Sequence, residues 1–401
     1  MDHDSTAAQD TTPIRIAPPA PTGPVTRPAK RRTAVRVGVP VAVAAVVATG
    51  IGLVPALASD EAPDLPAISA QDLVAKALSA HTDTFSGTVR VSADLGLPTV
   101  FTDALSGSGP IGDLARGAGA NVGSADPQLR AVELLGGSHT LKVAADGPDR
   151  QKIVLSSEKS GYELVHDGDQ LWAYDRGSQQ ALHLTGAGAG AERKQESAAG
   201  VGSFTPQEVA KRFLEESAAT TSVTVSGTER VAGHDAYRLS VKPKQAGSTI
   251  DEIRIAIDAE KGVPLAVQVR TVDGATAFDI RFGSLSYAKP DADTFRFTAP
   301  KGAKVTEAPA GSFSDARLPS VLPENPAAGT GGADTIGEGW TTVLHGEAGA
   351  EAAKGLAKFT GRHVDGGTLV STRIVNALVT DDGRVYIGAV TPETLQKAAR
   401  G

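Results

Sequence analysis

A chain of 401 residues has room for two domains, each with its own core, once tails and linkers are set aside. Aromatic residues make up only 4% of the chain against 45 Gly and 24 Pro, which points to many turns and a sheet-rich body. The formal charge of -7, with a dense basic cluster only at Lys30, Arg31, Arg32 and Arg36, argues against nucleic acid, and the absence of Cys excludes disulfides, thiol nucleophiles, thiolate metal sites and Cys-attached lipid.

Residues 1–36 are rich in Pro, Thr, Ala and charge and hold few large apolar side chains, so they cannot offset the entropy of ordering themselves. A disordered cytoplasmic tail is expected there. Val37–Ala58 (VGVPVAVAAVVATGIGLVPALA) is uncharged and long enough to span a bilayer as a helix. With the basic cluster before it and Asp60, Glu61 and Asp64 after it, the positive-inside bias predicts a single-pass signal anchor in the cell membrane, N-terminus cytoplasmic and body extracytoplasmic. The alternative is secretion after cleavage near Ala58, since Ala56, Leu57 and Ala58 form an A-x-A site.

Beyond a short spacer, Ser69–His81 carries Leu73, Val74, Ala77 and Leu78 at helical spacing behind a Ser69 cap. Thr88–Leu95 alternates, with Val89, Val91, Ala93 and Leu95 on one face of a half-buried strand. Residues 96–125, rich in Gly and Ser, read as a long loop or lid segment before a short helical stretch Gln128–Leu135. The segments HTLKVAAD, RQKIVLSS, YELVHDG, QLWAYDR and QALHLT then arrive in quick succession, and turns such as Asp146-Gly147 and Asp167-Gly168 predict an antiparallel meander.

After the Gly- and Ala-rich tract 186–202, Thr205–Glu216 reads as a helix capped by Thr205, with Val209, Phe213 and Leu214 as its buried stripe. Period-two groups resume at Val223 and Val225; Tyr237, Leu239 and Val241; Ile253, Ile255 and Ile257; Val263, Leu265, Val267 and Val269; Phe278, Ile280 and Phe282; and Phe295 and Phe297. Pro, Gly and Ala dominate 301–335, a linker by composition. Residues 336–401 then form a small α+β module: Trp340–Leu344, a helix over Glu347–Phe359, the strand pair TLVSTRIVNALVT and RVYIGAV around Asp381-Asp382-Gly383, and a terminal helix Glu393–Arg400.

Motifs for catalysis are missing. Gly107, Gly109 and Gly112 match G-x-G-x-x-G literally, but Pro110 lies inside and no strand-turn-helix unit surrounds them, so no dinucleotide cofactor is expected. His166-Asp167, His183 and His234-Asp235 stand near strand ends, where polar residues belong on solvation grounds alone; neither a metal nor a catalytic role is assigned to them. Trp172 and Tyr174 share one strand face and Leu171 and Ala173 the other, a pattern of ordinary packing or of a pocket wall.

What remains is an excess of one-sided apolar strands over the helices available to cover them. An incompletely covered apolar face is a usual ligand site, and Val89, Val91, Leu239, Val241, Ile255, Val267 and Ile280 are the candidate lining. A fully packed sheet-on-helix core is the alternative, because sequence does not reveal cavity volume.

Three stretches carry a family resemblance: LVAKALSAHTDTFSGTVRVSADLGLP; SHTLKVAADGPDRQKIVL with GDQLWAYDRGSQQALHL; and VAGHDAYRLSVKP with IAIDAEKGVPLAVQV. They resemble the lipoprotein-carrier fold of LolA and RseB in its actinobacterial membrane-anchored form, over residues 69–300, most closely in GHDAYRLSVKP and DAEKGVPLAVQV. The resemblance implies an α+β fold: a curved, half-open antiparallel barrel with helices over its concave side, holding acyl chains of lipids or lipoproteins. Two departures stand out: the tether, and the Gly-rich loop 96–125, which has no counterpart in the basic carrier. The expectation is therefore binding of an apolar ligand without catalysis or cofactor, with lipid or a lipidated protein as partner; the alternative is an envelope-stress or sigma-factor sensor that binds a membrane-bound regulatory protein.

Overall fold

The computed structural model describes residues 62–96, 136–156, 161–186, 206–309, 334–347 and 361–401, together with Ala125 and Leu134. Twelve strands form one sheet: β1 (Thr84–Ala93), β2 (Gly137–Asp146), β3 (Arg150–Ser156), β4 (Gly161–Asp167), β5 (Gln170–Asp175), β6 (Gln180–Thr185), β7 (Thr221–Val231), β8 (His234–Pro243), β9 (Ile250–Asp258), β10 (Pro264–Thr271), β11 (Thr276–Ser286) and β12 (Lys304–Pro309). Their order is β12-β6-β5-β4-β3-β2-β1-β11-β10-β9-β8-β7. The sheet is thus two meanders, β2 to β6 and β7 to β11, joined through β1. Every pairing is antiparallel except β12 on β6. That strand lies within the Pro-, Gly- and Ala-rich stretch; an edge strand needs only backbone partners, so composition there is a weak guide.

Helix α1 (Ala70–Leu78) starts where Ser69 Oγ accepts from Asp72 N, and its Leu73 and Ala75 are buried. It packs against helix α2 (Pro206–Ser217) and against β7 and β8. Gly262, in the β9–β10 turn, has φ +75°, and a Cβ there would stand 2.8 Å from Lys76 O. Only glycine lets this turn approach the α1 backbone so closely.

The sheet is not flat. Its edge strand β7 comes against β11, four places away in the sheet order. Val231 at the end of β7 packs in one cluster with Ala236, Ala256, Ala266 and Leu285, and the three alanines leave the room such an approach needs. Phe295 and Phe297 do not form a strand: Ala292–Phe295 is a 3-10 turn capped by Asp291, directly after Pro290, and Phe295 is buried in full.

A second sheet has the order β13-β14-β18-β17-β16-β15, built from β13 (Asp334–Ile336), β14 (Val343–Glu347), β15 (Arg362–Val364), β16 (Gly367–Ser371), β17 (Asn376–Thr380) and β18 (Arg384–Gly388). Helix α3 (Pro392–Arg400), capped by Thr391, lays Leu395 onto Val343, Leu369, Leu378 and Tyr386. The two sheets are joined. Ser248 bridges Val390, Thr391 N donates to Gly247 O at 2.8 Å, and Arg373 pairs with both Asp94 and Asp273. Trp340 sits in the apolar cluster beneath α1, its Nε1 donating to Thr221 Oγ1 at 2.8 Å.

Two expectations are corrected. The protein is mainly β, with only three α-helices among the described residues, no closed barrel and no layer of covering helices, so the α+β description does not hold. Physically, much of the cover comes from elsewhere: Leu65 and Ile68 of the extended segment before α1, Trp340, Ile374 of the β16–β17 loop and Ala389 just after β18 all pack on the same apolar cluster. The expected single-pass anchor, and the membrane localisation built on it, is likewise corrected: no helix among the described residues is long and apolar enough to cross a membrane. The tail 1–36, the run Val37–Ala58 and the helical stretch over 348–359 lie outside the described residues, as do nearly all of the loop 96–125, the stretch Gln128–Leu135 apart from Leu134, and residues 310–333 of the linker.

Candidate functional site

Cross-strand register unites the candidate residues. Val91 faces Ile280, Ile280 faces Val267, Val267 faces Ile255 and Ile255 faces Leu239, an unbroken apolar row over β1, β11, β10, β9 and β8. Val89 faces Phe282 and Val241 faces Ile253 beside this row, so all seven share one face of the sheet. Leu239, Val241, Ile255 and Val267 lie in the cluster that also holds Leu73 of α1, while Val89 and Val91 pack with Phe85 and Phe282, and Ile280 is half-buried beside them. Apart from Ile280 these side chains are only 3% to 6% exposed.

The same face continues across β2 to β6 through Leu141, Leu155, Tyr162, Leu164, Leu171 and Leu182. Part of it is covered, since Ala125 is buried there and Tyr162 Oη donates to Ala125 O at 3.1 Å. Part of it is open. Gln151, His166 and Leu171 form one cross-strand row and Ile153 and Leu164 the next, and these five residues line a depression of about 250 Å³. Ile153 is 36% exposed, and the buried His166 Nε2 has no hydrogen-bond partner. None of the seven candidates lines this depression. Its residues lie in segments the sequence marks as strands, and the signal that could have found them is the same period of two.

The histidines are not brought together. His166 projects with Leu171, whereas His183 projects from the opposite face with Trp172. There the indole and imidazole stack at 3.8 Å and 8°, and His183 Nδ1 lies 2.6 Å from Glu307 Oε2 of β12. Trp172 and Tyr174 both pack on Phe297, so of QLWAYDR it is Leu171 that reaches the depression.

The two stretches of closest family resemblance meet in a polar node. Asp258 Oδ1 accepts from Glu260 N and Lys261 N, each at 2.8 Å, which closes the β9–β10 turn. Its Oδ2 accepts from Tyr287 Oη at 2.8 Å and faces His234 Nδ1 at 3.4 Å. His234 Nε2 is 3.2 Å from Leu285 O, so both ring nitrogens face acceptors. Only the imidazolium can donate to both. The bond to Asp258 raises the pKa of His234 against the opposing effect of burial. Burial works against ionisation of Asp258, yet the bonds from His234, the turn amides and Tyr287 outweigh it and hold the carboxyl below its ordinary value. Burial, then the hydrogen bond to Asp258, push the Tyr287 phenol upward. This arrangement ties three strand ends together.

Solved structures resemble this architecture. The complex of MucA and MucB from Pseudomonas aeruginosa matches at 16% identity over 82% of this chain and 96% of that chain, with a TM-score of 0.38. A LolA superfamily protein from Nitrosomonas europaea matches at 10% identity over 58% of this chain and 99% of that one, with a TM-score of 0.21. No protein-family model and no curated protein matches the sequence. At these identities the likeness concerns the fold alone.

Proposed function

We propose that this protein binds an apolar ligand, a lipid or the acyl chain of a lipidated partner, on the apolar face of the twelve-stranded sheet and carries out no catalysis. The observation that carries the reading is the open depression floored by Ile153, Leu164 and Leu171 on a face otherwise committed to the core. Apolar surface left open in a concavity, beside a few polar groups, is the usual form of a small-molecule site. Gln151 stands at its polar side and supplies hydrogen bonds that a ligand's head would take up.

Native mass spectrometry of the full chain purified from its source tests the reading. A lipid of discrete mass that co-purifies, is stripped by organic solvent and is taken up again by the refolded protein is the expected result. A lipid-free protein carrying a stoichiometric second protein would instead favour a sensor that reads a protein partner.

A further inference from the structure

The face opposite the apolar one is charged, and unevenly. Over β7 to β11 and β1 it presents Arg90, Arg238, Lys242, Arg254, Arg270 and Arg281 against Glu229, Glu252, Asp258 and Asp279, a surplus of two cations (6 - 4) on a chain of net charge -7. The acids are already engaged. Glu252 is almost fully buried, accepts from Ser240 Oγ at 2.5 Å and from Arg254 Nε at 2.8 Å, and has Lys242 and Arg270 each at 3.8 Å. Asp279 is held in bidentate fashion by Arg281 at 2.8 and 3.0 Å and receives Gln268 Nε2 at 3.0 Å. Glu229, on β7, adds its charge to that of Asp279 in favouring the charged form of Arg281.

Arg90 has no such partner among the described residues, and it stands directly across from Arg281. Like charges at directly opposed positions of a sheet destabilise it. The backbone nevertheless makes room for the pair: the register of β1 on β11 shifts at Thr88/Val89, and the missing side chain of Gly283 leaves space, its would-be Cβ lying only 3.5 and 3.6 Å from Arg90 Nε and Cζ. Arg238 meanwhile spends its guanidinium on Ser226, at 3.2 Å to Oγ and 3.0 Å to O, and on no carboxylate.

We infer that this face is an interaction surface for an acidic polypeptide segment, with the opposed pair Arg90 and Arg281 gripping one of its carboxylates. Charge complementarity names the occupant: an arriving carboxylate gives Arg90 the counter-charge it lacks, while Arg281, whose Nε and one terminal nitrogen already hold Asp279, offers its remaining terminal nitrogen. The cations are interleaved with Glu252, Asp279 and Glu229, a mixed pattern that suits spaced carboxylates on an extended chain better than the unbroken charge of a phosphate backbone or an anionic bilayer. This inference does not depend on the apolar site, which lies on the other side of the sheet.

The test uses the full chain and a fluorescein-labelled peptide of alternating Glu and Ser, with a Gln/Ser peptide as its neutral counterpart, read by fluorescence anisotropy. The acidic peptide should bind at least about tenfold more tightly than the neutral one and weaken steeply as added salt shortens the screening length. Arg90→Gln, exposed and unable to unfold the sheet, and the double variant Arg90→Gln/Arg281→Gln should each weaken binding, the double by about tenfold or more. The single variant should melt no lower than wild type, because the opposed charges are relieved. Lys397→Gln on α3 should change nothing. Equal binding of the two peptides, or an unchanged affinity of Arg90→Gln, overturns the inference. So does binding of phosphatidylglycerol vesicles through the same arginines when the acidic peptide fails to bind, since the surface then serves an anionic membrane.

Discussion

Replacing Trp340 by Ala should uncouple the two sheets. Trp340 is 7% exposed and packs in the cluster with Leu73, Tyr237 and Ile250. A buried indole removes about 200 Å² from water, worth about 5 kcal/mol at about 25 cal/mol per Å². Measured truncations of buried Trp cost about 3–5 kcal/mol, and the lost bond to Thr221 adds about 1 kcal/mol. Thr221 Oγ1 keeps Thr220 Oγ1 at 3.3 Å, so no buried hydroxyl is orphaned and the total stays near 4–6 kcal/mol. Trp340→Phe retains most of the apolar area and should cost only about 1–2 kcal/mol. The chain has two Trp, so a Trp172→Phe background makes Trp340 the sole fluorescence reporter in urea unfolding, with far-ultraviolet circular dichroism following both sheets. In that background the two signals should fall together; in Trp340→Ala the dichroism transition should move to much lower urea. A cost below about 1 kcal/mol for Trp340→Ala would refute the view that this side chain fastens the second sheet to the first.

Three further outcomes are expected. Because His234 is raised above 6.5, its contribution is complete below that pH and is lost as pH rises through the folded value; Asp258, held below 3.8, contributes above that pH and fails only as pH falls through its lowered value. Unfolding of wild type and His234→Asn across this range should therefore converge on the alkaline side, and a difference that grows there contradicts the node. Gly262→Ala should destabilise by about 1–3 kcal/mol, through a left-handed backbone and the Lys76 carbonyl together, and a neutral thermal melt would remove the argument for close approach. Val91→Trp should lower stability by about 1–3 kcal/mol by overpacking, since Val91 is 4% exposed, whereas Ile153→Trp should melt within about 0.5 kcal/mol of wild type; the reverse order would mean the open and packed parts of the face are misassigned.

The apolar sheet face was legible from alternation, because a period of two is local and burial on one face constrains every strand alike. Val91, Ile280, Val267, Ile255 and Leu239 fell into one row without any tertiary information. Which half of that face lies open was not legible. Ile153 alternates as well as Val91 does, and cover is decided by segments distant in sequence: Trp340 reaches Thr221 across 119 positions. The parallel strand β12 was hidden because its pairing uses backbone groups and its composition reads as linker. The polar node escaped for the opposite reason. His234 and Asp258 each look like ordinary turn residues, and only the pairing of β8 with β9 and the return of β11 bring them to Tyr287. Helical patterns proved the weakest guide to architecture, since an amphipathic stripe states that a face is buried and not what buries it.

Equilibrium titration of the full chain with a fluorescent palmitate analogue, set against Ile153→Trp and Leu164→Trp, addresses the apolar site most directly. Saturable uptake by wild type, weakened at least about tenfold in both variants at unchanged melting temperature, is the expected result, because each indole occupies the depression without disturbing the core. Wild-type protein that takes up no probe, or variants that bind it as well as wild type does, would contradict the assignment of this face as a ligand site.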